Sequence, residues 1–114
     1  MGTLATQEPN LTTTRPTNAE PHPRAADAAL ADRLIQQEQE ALSDAYHLYG
    51  TRVYRVAYGL LRREELAQDV TQEVFVRLWK RPDRYDPERG SLASFLQLDA
   101  HGRSVDLILS LIHI

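Results

Sequence analysis

Proline placement constrains this chain more than any other feature. Four of its six prolines, Pro9, Pro16, Pro21 and Pro23, lie near the N-terminus, and Pro82 and Pro87 share one short segment. Between Pro23 and Pro82 there is none. A helix interior rejects proline, because the ring removes an N–H and clashes with the preceding turn. The proline-free span is therefore open to helix, and its apolar residues recur at steps of three and four. Leu66, Val70, Val74 and Leu78 keep a strict four-residue step, with Phe75 and Trp79 beside them, which predicts a helix over 64–80. Glu64 and Glu65 at its start and Arg77, Lys80 and Arg81 at its end suit the helix dipole. Pro82 stops it.

Two further helices are expected upstream. The first covers about 26–37, with Leu30, Leu34 and Ile35 on one side; the second covers about 40–61, with a stripe of Leu42, Tyr46, Tyr49, Val53, Val56 or Ala57, and Leu60. Gly50 predicts a kink or a brief break in the second, since glycine costs about 1 kcal/mol in a helix interior. After a loop over 82–90, Ser91 is the expected N-cap of a fourth helix whose inner face is Leu92, Phe95, Leu96 and Ala100. There is no strand alternation, repeat or coiled-coil heptad. The fold class is all-α, a small helical bundle over 25–108. Residues 1–24, with their prolines and the run Thr12, Thr13 and Thr14, have too little apolar content to offset ordering and read as a disordered tail.

Composition narrows the function. With no cysteine, a disulfide scaffold, a Cys-ligated zinc site and a thiol nucleophile are excluded. His22, His47, His101 and His113 show no metal-ligand spacing, and no nucleophile elbow or Gly-rich phosphate loop occurs. The reading is a protein that is not an enzyme and needs no metal, cofactor or small-molecule substrate. No apolar run is long enough to span a membrane, and no signal pattern opens the chain, so a cytoplasmic protein is expected. The formal net charge is −3. A protein that grips duplex DNA alone carries a basic excess, so a nucleic-acid role here needs a partner that supplies the grip.

Two segments carry candidate function. Asp69, Gln72, Glu73 and Arg77 fall together beside the buried stripe of the third helix. They are either a solvated charged face, stabilised by Glu73 pairing with Arg77, or an acceptor-rich strip for the basic side chains of a partner helix. The segment from Arg84 to Phe95 offers aromatic rings, guanidinium groups and hydroxyls. It is either a plain connection, with Tyr85 and Phe95 plugging the bundle, or a holder of unstacked bases.

The order of the pieces is more specific than any one of them. AYHLYGTRVYRVAYGLL, then EELAQDVTQEVFVRLWKRPDRYDPERGSLASFLQ, then AHGRSVDLI closely resembles region 2 of bacterial RNA polymerase sigma factors of the extracytoplasmic-function group, over roughly 41–108. The resemblance implies a subunit that binds core RNA polymerase and helps recognise and melt the promoter minus-ten element. It implies that Asp69, Gln72 and Glu73, with Arg77, meet the coiled-coil clamp helices of the beta-prime subunit. It further implies that Tyr85, Arg89, Ser91 and Phe95, with His101, Arg103 and Ser104 along the fourth helix, contact promoter DNA as the non-template single strand. An anti-sigma protein is a further partner the resemblance implies. The chain departs from the family pattern at Phe95, where tryptophan is usual, at Gly102, where asparagine or arginine is common, and at Asp99, where an apolar residue is common.

The C-terminal stretch LILSLIHI is apolar on every face, where the family continues with arginine and serine. Its last six residues, 109–114, match one reading frame of a transposase end sequence used in DNA library preparation. They are expected to be a non-native extension, and the family's region 4, which reads the minus-thirty-five element, is expected to be missing.

Overall fold

The computed structural model describes residues 23–112. The segment read as a disordered tail falls almost wholly outside them. The described residues form four α-helices, α1 (Pro23–Ile35), α2 (Gln39–Leu61), α3 (Glu64–Lys80) and α4 (Leu92–Ile112), with a 3-10 turn at Pro82–Arg84 between α3 and α4. The expected all-α bundle is what forms. No described helix is long and apolar enough to cross a membrane.

Helix α2 is the centre of the bundle and packs against both α3 and α4. Its buried line is Ala41, Ala45, Gly50, Val53, Ala57 and Leu61. The expected stripe holds at Val53 and Ala57 and is corrected elsewhere, where it followed the large residues. Tyr46 is 51% exposed, and Tyr49, Val56 and Leu60 are only partly buried. Small side chains let two neighbouring helices approach one central helix closely, so the alanines go inside and the long tyrosines lie along the edges. Gly50 makes no break, and α2 runs continuously through it. A Cβ there would meet the Tyr46 ring at 3.3 Å, so the missing side chain is the space in which that ring lies. The ring in turn meets Phe75 of α3 edge-on, centroids 5.2 Å apart.

The stripe of α3 is as expected at Val70, Val74 and Leu78, joined by Ala67, Thr71 and Phe75. Thr71 is tolerated inside because its hydroxyl donates to the Ala67 carbonyl at 2.8 Å. Helix α1 starts at Pro23 rather than Ala26, since proline fits the first helical turn. It ends at Ile35 rather than Gln37, and Ile35 points away from the core. Gln37 adopts the left-handed conformation that closes a helix, φ 61°. Its side-chain amide donates to the carbonyls of Leu34 and Trp79 at 3.0 and 3.1 Å, which holds the turn against the end of α3. Helix α4 buries Leu92, Leu96, Ala100 and Ser104, again one four-residue step, with Phe95 half-buried beside it. Leu109, Leu111 and Ile112 continue the helix but stand exposed.

One buried acid ties three helices together. Asp27 of α1 is 3% exposed. Its Oδ1 accepts from the Tyr49 hydroxyl of α2 at 2.9 Å, and its Oδ2 accepts from the Leu92 N–H at the start of α4, also at 2.9 Å. A carboxylate at a helix N-terminus meets orphan N–H groups and the positive end of the dipole.

Candidate functional site

Ser91 caps α4 as expected: its Oγ accepts from the Ser94 N–H at 3.1 Å. Upstream, Asp86 organises a turn, with its side chain accepting from the Glu88 N–H and its carbonyl from the Arg89 N–H, both at 3.0 Å. Tyr85 sits in the core and donates its hydroxyl to the Gly90 carbonyl at 2.9 Å. Burial pushes its phenol up to about 12. The loop is therefore pinned at both ends. Between it and α4 opens a concavity of about 310 Å³, whose lining includes Arg84, Asp86, Arg89, Ser91, Ser94 and Phe95.

The walls of that concavity are aromatic and cationic. The Tyr85 and Phe95 rings lie 5.4 Å apart, and the Arg84 guanidinium covers Phe95 at 5.3 Å from the ring centroid. Tyr85 behaves as the plug that the simpler reading expected, while Phe95 keeps part of its ring at the surface. Arg89 is exposed at the mouth. An aromatic wall with guanidinium groups around it is suited to a planar ring carrying a negatively charged backbone.

The α3 strip divides. Asp69 and Gln72 are exposed. Glu73 is half-buried and pairs with Arg103 of α4. Arg77 gives its Nε to Asp99 of α4 at 3.3 Å. The expected Glu73–Arg77 pair within α3 is thus replaced by two pairs across the α3–α4 seam. Partners across a seam lose less of their attraction to solvent than neighbours along one exposed helix face. Two residues assigned to different surfaces, Glu73 and Arg103, hold one another here.

Of the remaining expected DNA contacts, His101 is exposed on α4. Ser104 is fully buried in the bundle, and its Oγ has no hydrogen-bond partner among the described residues. Its place on the four-residue step from Leu96 and Ala100 explains this, since only a small side chain fits where α4 lies on α2. Among the described residues no three His, Asp or Glu side chains gather where a metal ion could bind.

Arg84, Asp99 and Asp27 were not among the expected contact residues, although Arg84 opens the segment noted for its guanidinium groups and Asp99 was named as a departure from the family pattern. A signal existed for Asp27, since it lies three, four and seven residues before Leu30, Ala31 and Leu34 on the buried face. For Arg84 the signal was its place at the start of the candidate segment, while its partners Asp99 and Phe95 lie on another helix.

Residues 45–111 match the Sigma-70 region 2 family. The ECF RNA polymerase sigma factor SigK of Mycolicibacterium vanbaalenii is 34% identical over 82 residues, covering 72% of this chain and 42% of that protein. The proteins of the same name from Mycobacterium tuberculosis and Mycobacterium ulcerans are 30% and 31% identical over 80 residues, 70% of this chain and 43% of theirs. The chain thus spans less than half the length of the curated relatives it matches. No solved structure matches it. On a match that takes in α3, the pinned loop and nearly all of α4, the chain belongs to the Sigma-70 region 2 family.

Proposed function

We propose that the chain acts as region 2 of an extracytoplasmic-function sigma factor. It docks on core RNA polymerase through α3 and holds a base of the promoter minus-ten element, on the non-template strand, in the concavity between loop and α4. The observation that carries this reading is the pinned loop. Its aromatic and guanidinium walls enclose about 310 Å³ within the segment that matches the family. Asp69 and Gln72, exposed on α3, accept hydrogen bonds from arginines of the beta-prime clamp helices. Glu73 joins them when Arg103 releases it, and Arg103 is then available to DNA beside His101. Nothing in the mechanism is covalent: base stacking and phosphate contacts offset the unpairing of the duplex.

The acidic balance of the chain fits this division of labour, because the clamp is the first target and core polymerase holds most of the DNA. The test is a pull-down with core polymerase. The variant Asp69→Ala with Glu73→Ala is expected to lose about tenfold or more in affinity with its helicity intact. Retained binding refutes the docking surface. Arg89→Ala is expected to reduce promoter opening, followed by permanganate reactivity, more than it reduces core binding. A chain that binds core without ever opening a promoter would instead be a non-initiating interaction module, occupying polymerase or an anti-sigma protein.

A further inference from the structure

Two arginines line the concavity, Arg89 of the expected DNA-binding set and Arg84, which lies outside that set. Tyr85 is buried, with its hydroxyl committed to the Gly90 carbonyl. Arg84, one residue earlier, lines the concavity and covers Phe95. Its terminal nitrogen lies 3.5 Å from Asp99 Oδ1. The Asp99 side chain is only 10% exposed, and its second oxygen accepts from Arg77 Nε at 3.3 Å. One carboxylate of α4 therefore anchors an arginine of the loop and an arginine of α3. A carboxylate so enclosed persists only when partnered, and here the partnership fixes where Arg84 stands.

Stacking on Phe95 and pairing with Asp99 remove most of the rotamer freedom that an exposed arginine loses on binding. A guanidinium has five N–H donors, and a single Asp99 oxygen leaves most of them unused. With its guanidinium over the Phe95 ring, Arg84 keeps its donors in the guanidinium's own plane, a fork that matches paired phosphate oxygens better than a stacked base. We infer that Arg84 is the phosphate-binding residue of this concavity and that Asp99 is the positioning residue that holds it in place. The inference rests on the single-strand reading above and adds which residue grips the backbone of that strand.

The probe is a fluorescein-labelled single strand of randomised sequence, roughly 12 nucleotides long, bound to the full chain with and without core polymerase and read by anisotropy. Titrations run between about 50 and 200 mM salt. Arg84→Gln is expected to weaken binding about tenfold. It is also expected to lower the slope of log affinity against log salt by about 0.7, the share of one phosphate on a single strand. Arg84→Lys keeps the charge, so it retains the salt slope while losing part of the affinity. Asp99→Asn is expected to weaken binding about threefold and to add nothing in the Arg84→Gln background. Circular dichroism confirms that each variant is folded, and Arg84→Lys serves if Arg84→Gln is not.

If the unaltered chain binds the strand and Arg84→Gln binds with the same affinity and salt slope, the inference is overturned while the single-strand reading stands. If Asp99→Asn weakens binding equally with and without Arg84, the positioning role is overturned. If the unaltered chain fails to bind in either setting, the single-strand reading itself falls.

Discussion

Asp27→Ala is the most informative perturbation of this fold. The substitution strands two donors, the Leu92 N–H in a buried position and the Tyr49 hydroxyl in a partly buried one. Each donor left without a partner costs about 1–3 kcal/mol. Loss of a negative charge at the start of α4 adds about 0.3–1 kcal/mol. The total is about 2–5 kcal/mol once the Tyr49 hydroxyl is allowed some access to water. For a domain of this size each kcal/mol lowers the thermal midpoint by about 4–8 °C, so Asp27→Ala loses about 8 °C or more. Asp27→Asn keeps one acceptor oxygen and faces the other donor with an amide, so it falls between the two. Urea melts followed by far-UV circular dichroism give the order unaltered chain, Asp27→Asn, Asp27→Ala. A loss under about 1 kcal/mol for Asp27→Ala would refute the account, because it would mean that α4 does not depend on this carboxylate for its N-terminus.

Other consequences are simpler to measure. Tyr85 has its phenol raised from 10.0 to about 12 by burial, and Tyr49 is raised by burial and its bond to Asp27. The stability this represents is complete below pH 10 and is lost as pH rises towards 12, so alkaline unfolding should coincide with phenolate absorbance, and Tyr85→Phe should move it to higher pH. Gly59 sits exposed within α2 with open space where a Cβ would go, so Gly59→Ala should stabilise the domain by about 0.5–1 kcal/mol in a urea melt. Leu109, Leu111 and Ile112 stand exposed at the end of α4, Ile112 at 73%. Changing all three to serine should leave the thermal midpoint within about 3 °C while reducing self-association in light scattering.

The sequence by itself determined the helices, because what makes a helix is local. Apolar steps of three and four, proline at the boundaries and a serine cap act within a few residues, and so the spans of α2 and α3 and the cap at Ser91 were legible. It also showed which segment carries the family pattern, because that pattern lies in residue order. Which face of α2 is inside was only partly legible: Val53 and Ala57 fell on the expected stripe, and the rest follows from how closely α3 and α4 approach. Close approach selects Ala41, Ala45 and Ala57 over Tyr46. Gly50 looked like a break for the same reason, since the Tyr46 ring that fills its empty side became visible only with the helix formed. The charge partners along the α3–α4 seam were decided by the tertiary structure alone. Glu73 and Arg77 are one turn apart in sequence, yet each finds its counter-charge on α4, and Asp99 draws Arg84 from the loop. Electrostatic attraction acts through space and strengthens where water is excluded, and only the packed bundle sets which charges share such a place.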